Sequence, residues 1–192
     1  DILAQYAKEH FGNRNTADEK MAAEMLSFSE AAFTLTTGFN MTLAQKTMMG
    51  LFMQGKSAGL MAGGGKTGVY VLYHGLMKMA MGKSYSGVIF AENKGGVDNF
   101  VKRGFGEGSY RDLAAAFGLK LHDGIKLQEK HDTAKIGEVL NSSEDLLVLD
   151  YVTAAHINNQ SVKEDPTLFA QIVLKKDTRI GTVDELHLLA IN

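Results

Sequence analysis

The chain has no cysteine and a single proline, Pro166, among its 192 residues. The absence of cysteine excludes disulfide frameworks and cysteine-based zinc sites. No apolar run approaches the ~18 residues that a helix needs to cross a bilayer, so we expect that the chain does not itself span a membrane. Lys and Arg total 20 against 22 Asp and Glu. The resulting net charge of −2 excludes a strongly basic nucleic-acid footprint for the chain as a whole.

The residues that are present fit a folded protein. Apolar residues make up 45% of the chain and charged residues 22%, which is close to the average for globular proteins. The 21 glycines beside one proline favour close backbone approaches over proline-rich linkers. The 10 methionines fall mostly on helical patterns, where core filling is the first interpretation and a partner surface the second. Since the first residue is Asp and not Met, we expect a piece of a longer protein.

The apolar pattern alternates between the periods of helices and strands. A capping box at Thr16 and Glu19 predicts the start of the first helix, and Gly82 is placed to end the third. The second helix is expected to bury a stripe made of Leu43, Met48, Leu51 and Phe52. Helices are expected at 16–33, 42–54, 66–81 and 133–140, and strands at 57–61, 87–91, 119–122, 145–150 and 178–183. This alternation predicts an α/β fold whose parallel sheet is covered by helices on both faces.

A glycine-rich segment lies between a predicted strand and a predicted helix, which is where a phosphate-binding loop belongs. It consists of Gly63, Gly64, Gly65, Lys66 and Thr67. Free N–H groups and the dipole at a helix start attract anions, and glycines let the backbone wrap a phosphate. Lys66 is then expected to pair with the β- and γ-phosphates and the Thr67 hydroxyl to bind Mg²⁺. The alternative is a glycine-rich turn that caps an ordinary helix, because the strict loop pattern requires glycine where this chain has Leu60.

An acidic box follows the last predicted strand. Asp184 and Glu185, with His187 two residues further on, come directly after Val183. Carboxylates at the carboxyl end of a parallel strand point into the crevice where ligands bind. Asp184 is expected to hold Mg²⁺, and Glu185 to act as general base or to orient the attacking water. The alternative is an ordinary acidic loop after a strand. The phosphate loop about 120 residues upstream favours the ligand-binding interpretation over this alternative.

The phosphate loop and the acidic box, in this order, resemble the first RecA-like domain of superfamily 2 helicases and translocases. Within that group the chain is most similar to the SecA family of preprotein translocase motors. The stretches that carry the resemblance are Gly38–Gln45, Leu60–Thr67, Val88–Asn93, Asp145–Asp150 and Val183–His187. In that family the glutamine of the first stretch reads the adenine edge, so the resemblance implies this role for Gln45.

The resemblance implies a P-loop NTPase with a RecA-like sheet that uses ATP and Mg²⁺. Residues 1–37 are then an N-terminal helical segment, and residues 38–192 an incomplete first nucleotide-binding domain. The implied catalytic residues are Lys66 and Glu185, and the implied nucleotide contacts are Gln45, Gly63, Gly64, Gly65, Lys66 and Thr67. Hydrolysis in such motors needs arginines from a second RecA-like domain, so we expect this piece alone to be weakly active or inactive.

Three functional interpretations remain open. A SecA-like motor would have unfolded preprotein and a membrane translocon as partners, in the cytoplasm or peripheral to the membrane, and the weak acidity of the chain favours it. A nucleic-acid helicase is favoured by His187, because the box then reads D-E-x-H. The third interpretation is a nucleotide-binding module that does not hydrolyse ATP and has a structural role.

Overall fold

The computed structural model describes residues 19–58, 60, 64–105, 108–164 and 179–183. The chain divides into two units, which are treated separately below. The helical unit comprises Asp1–Gly82 and Lys102–Leu119, and the sheet unit comprises Lys83–Val101 and Lys120–Asn192. In chain order the elements are α1 (Glu19–Thr37), α2 (Leu43–Met53), α3 (Lys66–Met81), β1 (Ser86–Ala91), α4 (Lys94–Val101), β2 (Gly104–Phe105), β3 (Gly108–Ser109), α5 (Tyr110–Ala116), β4 (Lys120–Asp123), α6 (Gly124–Glu129), α7 (Thr133–Asn141), β5 (Asp145–Asp150), α8 (Tyr151–Glu164) and β6 (Arg179–Val183).

In the helical unit, α1 packs against α3 and α5, and α2 packs against α3. The predicted first helix is confirmed but continues to Thr37, four residues beyond the expected end; its predicted start at Thr16 lies outside the described residues. Methionines fill this core as expected, since Met25, Met48 and Met49 are almost fully buried.

Helix α2 begins with a capping box that the sequence analysis did not identify. The Thr42 hydroxyl accepts a hydrogen bond from the Gln45 amide at 3.2 Å, and the Thr42 amide donates to Oε1 of Gln45 at 2.8 Å. The predicted buried stripe is wrong at Leu43, whose side chain is 81% exposed. Leu43 is the first residue of the helix. Met48 is buried as predicted, beside Gln45 and Met49, while Leu51 and Phe52 are half-buried.

Helix α3 follows its prediction at both ends, from Lys66 to Met81 with Gly82 as the C-cap. Two glycines, seven residues apart, lie on one face of it. A Cβ added to Gly68 would come within 2.7 Å of Cε2 of Phe33, and one added to Gly75 would overlap the ring of Phe117. The rings of α1 and of the residue after α5 therefore reach the backbone of α3 only because these positions have no side chain.

The strand predicted at 57–61 is not found among its described residues. Ser57, Ala58 and Leu60 belong to neither helix nor strand. Helix α2 ends in a turn in which Gly55 has a φ of 70° and the Lys56 amide donates to the Leu51 carbonyl at 2.9 Å. The segment that follows contains no β-branched or aromatic residue and includes Ala58 and Gly59, so its strand propensity is low.

The sheet unit contains a four-stranded parallel sheet in the order β4-β5-β1-β6. At its centre Ile89 pairs with Val148 of β5 on one side and with Thr182 of β6 on the other. The strand predictions other than 57–61 agree with the structure to within a residue at each end. The expected α/β class, with a parallel sheet flanked by helices, is confirmed.

Helices cover both faces of this sheet. On one face Val88 and Leu147 pack with Ile136 of α7 and Ile157 of α8. Since side chains alternate along a strand, Ala91 points to the opposite face. There a Cβ on Gly96 of α4 would lie 3.0 Å from the Ala91 side chain. Burial on both faces explains why these strands are almost continuously apolar.

Replacing Gly75 tests the close packing on α3. We expect Gly75→Ala to lower the free energy of unfolding by about 1–2 kcal/mol, because the added methyl group displaces the Phe117 ring and outweighs the gain in helix propensity. The matched control is Gly50→Ala in α2, where nothing lies within 4 Å of the added carbon. This control should stabilise the protein by up to about 1 kcal/mol. Urea denaturation measures both, and equal effects of the two substitutions would contradict the packing argument.

His74 in α3 makes stability depend on pH. Its side chain is 0% exposed, and burial lowers its pKa to about 3. The unfolded chain takes up this proton near the ordinary pKa of about 6.5, so stability falls as the pH drops from there toward 3.

We expect the His74 contribution to remove about 2 kcal/mol between pH 7 and pH 5. Urea denaturation at the two pH values measures the loss. His74→Phe should show a correspondingly smaller loss, while His156→Gln, at an exposed position, should match the wild type. The same pH dependence in His74→Phe and the wild type would contradict the assignment.

Candidate functional site

The start of α3 is the part of the predicted phosphate loop that the structure describes. Gly65 is the N-cap residue, and its φ of 76° is in the left-handed region that favours glycine. Lys66 and Thr67 are the first two residues of the helix, and no side chain caps it. The first N–H groups of a helix lack acceptors within it and carry its positive dipole end, so this arrangement fits a phosphate group. Gly64 is half-buried beside them, and Gly63 lies outside the described residues.

Gln45 lies against this loop. Its side chain is buried, and its Nε2 donates a hydrogen bond to the Gly65 carbonyl at 3.3 Å. A Cβ on Gly65 would overlap that amide group. Since Oε1 of Gln45 accepts from the Thr42 amide, both polar ends of the amide are held by backbone groups. The structure thus brings Gln45 and the glycine loop together, while reading of adenine by Gln45 stays a prediction.

Tyr110, the first residue of α5, is a site residue that the sequence analysis missed. It is buried, and a Cβ on Gly68 would lie 3.3 Å from its Cε1. Burial raises the pKa of Tyr110, and the positive charge of Arg103 and polar interactions with Thr67 and Gly68 offset part of that rise. The tyrosine is therefore neutral at physiological pH. No local sequence pattern predicts that Tyr110 lies at this site, because 43 positions separate it from Thr67 in the chain.

At the carboxyl edge of the sheet, polar side chains cap the helices that follow the strands. Oδ1 of Asn93 accepts from the Gly96 amide at 3.1 Å, at the start of α4. Oδ1 of Asp123 accepts from the Lys126 amide at 3.2 Å in α6, and Oδ1 of Asp150 from the Thr153 amide at 2.7 Å in α8. Each of these groups satisfies an N–H that a helix start leaves without a partner, so their first role is structural.

The acidic box begins where the described part of β6 ends. Val183 pairs with Phe90 of β1, and Asp184, Glu185 and His187 lie outside the described residues. Within the described ranges, no group of three or more His, Asp or Glu side chains could hold a metal ion. Phosphate binding at the start of α3 and a magnesium site at Asp184 both stay predictions.

The sheet unit also holds a cavity of about 220 Å³. Strands β1 and β5 and helices α7 and α8 line it, and its walls are apolar except at Asn158. Such a lining has no charge to offer a phosphate or a metal ion, so this cavity is not a nucleotide site.

None of the helices in the described part of the chain has both the length and the hydropathy that crossing a membrane requires. Comparison of the chain with models of protein families, with curated proteins and with solved structures finds no match.

Substitution of Gly65 tests the geometry of this loop. We expect Gly65→Ala to lower the free energy of unfolding by about 2–3 kcal/mol, because alanine is strained at this φ and its methyl group displaces Gln45 from the capping box. Gly118→Ala is the control, since Gly118 has a similar φ of 72° but nothing within 4 Å of the added carbon. It should cost only about 1 kcal/mol of backbone strain.

Denaturation of the Gly65→Ala, Gln45→Ala and double variants separates the two causes. We expect the double variant to be less destabilised than the sum of the single effects, because the clash is removed with the glutamine. Strict additivity would contradict a contact between these residues.

Proposed function

We propose that the chain binds ATP and Mg²⁺ and is the first nucleotide-binding part of a motor ATPase, similar to the SecA family, that drives protein translocation. The observation that carries the proposal is the start of α3, where Gly65 adopts a left-handed φ directly before Lys66 and Thr67 and is held against Gln45. A cation at a helix start is unfavourable to the helix dipole, so a turn that served only as a helix cap gives no reason for Lys66 at the first helical position.

Each predicted residue of the nucleotide site has a defined task in this proposal. The amides at the start of α3 bind phosphate oxygens, and the Lys66 ammonium group neutralises part of the phosphate charge. Glu185 orients the attacking water or accepts its proton. Mg²⁺, when bound, supplies further neutralisation of the phosphates, and Asp184 is the residue that would hold it. Turnover needs arginines from a second RecA-like domain, so the 192 residues alone are expected to bind nucleotide with little or no hydrolysis.

The sheet unit supports the same proposal independently. Its strands are all parallel, and β6 ends at Val183, directly before Asp184 and Glu185 in the chain. Residues that directly follow a parallel strand often bind ligands in α/β folds, which favours a ligand-binding role for Asp184 and Glu185. This topology is compatible with a RecA-like domain.

A nucleic-acid helicase is the second candidate, and His187 of the D-E-x-H box favours it. The two motors differ in what stimulates them. Stimulation of the full-length ATPase by unfolded polypeptide and not by RNA or DNA supports the translocase, and the reverse result supports the helicase. ATP binding without hydrolysis by the full-length protein under either condition would support a structural nucleotide-binding module instead.

Nucleotide binding by the chain is tested with a fluorescent ATP analogue in millimolar Mg²⁺. We expect Lys66→Ala to weaken binding about tenfold or more, because the substitution removes a charge-assisted contact to the phosphates. Lys83→Ala, at an exposed position outside the loop, should bind like the wild type. Equal affinities of Lys66→Ala and Lys83→Ala would contradict the proposal.

A further inference from the structure

Both polar ends of the Gln45 side-chain amide are bound to backbone groups. Its Oε1 accepts from the Thr42 amide at 2.8 Å, and its Nε2 donates to the Gly65 carbonyl at 3.3 Å. The Gln45 residue is only 6% exposed. A glutamine that reads adenine presents its amide oxygen and nitrogen together to the base edge. An adenine contact would therefore exchange existing hydrogen bonds of Gln45 for new ones, and such an exchange contributes little net free energy.

The bond from Gln45 to Gly65 orients the peptide unit at which α3 begins. The peptide bond between Gly65 and Lys66 is trans and planar, so the Gly65 carbonyl and the Lys66 N–H point in opposite directions. A hydrogen bond that holds the carbonyl toward Gln45 thus turns the Lys66 N–H away from it. This N–H belongs to the first helical residue and has no acceptor within the helix. Gln45 therefore sets the direction of an amide that binds phosphate in the proposed function.

The backbone at Gly65 needs an external restraint of this kind. Glycine has access to many backbone conformations, and no side chain caps α3 from the Gly65 position. A residue with a side chain could not restrict the backbone in its place, because a Cβ would overlap Nε2 of Gln45. The contact from Gln45 supplies the restraint that the residue itself lacks.

Gln45 is itself held in place on α2. The Thr42 hydroxyl accepts from the Gln45 amide at 3.2 Å, which closes the capping box. Near the other end of α2, the ring centroid of Phe52 lies 5.8 Å from that of Tyr70 and 5.3 Å from that of Tyr73, both in α3. Helix α2 is thus anchored on α3 at both of its ends, so the position of Gln45 relative to the loop is fixed.

We propose that Gln45 is a positioning residue of the phosphate site and not a reader of adenine: its amide holds the Gly65 carbonyl so that the Lys66 amide faces the phosphates. This inference rests on the proposed nucleotide-binding function and concerns the same site. Gln45 then contributes equally to the binding of every ligand with the same phosphate chain, whether this ligand carries adenine, another base or no base.

The test measures how unlabelled ligands displace the fluorescent ATP analogue from the wild type and from Gln45→Met. The ligands are ATP, GTP and inorganic tripolyphosphate, each with Mg²⁺. Methionine keeps a long unbranched side chain and removes both polar ends of the amide. We expect Gln45→Met to weaken all three ligands by the same factor, about two- to tenfold, the range that corresponds to one or two ordinary hydrogen bonds. A larger loss for ATP than for tripolyphosphate, or no loss for any ligand, would overturn the inference.

Thr42→Ala is the control for a general loss of stability. It removes the hydroxyl half of the capping box and keeps the backbone amide to which Oε1 of Gln45 is bound. This variant is expected to destabilise α2, as caps do, and to bind all three ligands like the wild type. If Thr42→Ala weakens the ligands as much as Gln45→Met does, the effect comes from stability alone and positioning by Gln45 is overturned.

The Lys66→Ala variant in the same assay separates the inference from the function on which it rests. If binding depends on Lys66 but Gln45→Met weakens ATP alone, the inference is overturned and the proposed function stands. If the wild type shows no binding that depends on Lys66, both are overturned.

A measurement on the unmodified chain decides the question if Gln45→Met does not fold. The side-chain amide signal of Gln45 is followed by NMR during titration with the Mg²⁺ complexes of ATP and of tripolyphosphate. We expect similar shifts with both ligands, because phosphate reaches Gln45 through the Gly65 peptide and no base is required. A response to ATP alone, or none with either ligand while residues 64–68 shift, would overturn the inference.

Discussion

Three glycines along α3 set how closely its neighbours approach, and the helical unit depends on this constraint. Gly65 leaves room for the Gln45 amide, Gly68 for the rings of Phe33 and Tyr110, and Gly75 for the ring of Phe117. Any side chain at these positions would push α1, α2 or α5 away from the helix. The same absence of side chains that packs the core also brings Gln45 and Tyr110 to the start of α3, so packing and the proposed phosphate site have one physical cause.

The sheet unit is stabilised by different interactions from those of the helical unit. Its strands are buried on both faces, and the polar groups at their carboxyl ends serve first as helix caps. Asp150 is both the last residue of a strand and the cap of a helix. Strand β5 ends at this residue, α8 begins at the next, and the Asp150 carboxylate accepts a hydrogen bond from the Thr153 amide at 2.7 Å. A strand can therefore pass directly into a helix without a loop.

Elements with a strong local signal could be predicted from the sequence. Continuous apolar runs predicted β1 and β5, and the glycines on either side of α3 predicted where this helix begins and ends. Helices α6 and α8 were missed, because side-chain caps from Asp123 and Asp150 start them and no clear apolar period runs through them. The expected strand at 57–61 was wrong in its described residues, since an apolar segment without β-branched or aromatic residues does not favour a strand.

The candidate site, like the fold, could be predicted only in part. The glycine loop and Gln45 were identified from their motifs, and the structure brings them into contact. Tyr110 could not be found, because its position depends on the packing of α5 against α3, which no local pattern encodes. Its ring lies against Gly68, the third residue of α3.

The central claim is that phosphate binds at the start of α3. The most direct test is an NMR titration of the ¹⁵N-labelled chain with the Mg²⁺–ATP complex, in which backbone amide shifts are followed residue by residue. The account predicts the largest shifts at residues 64–68 and at the side-chain amide of Gln45, with little change at core amides of the sheet such as Val148. Absence of shifts at residues 64–68 with millimolar ATP, or shifts confined to other parts of the chain, would contradict it.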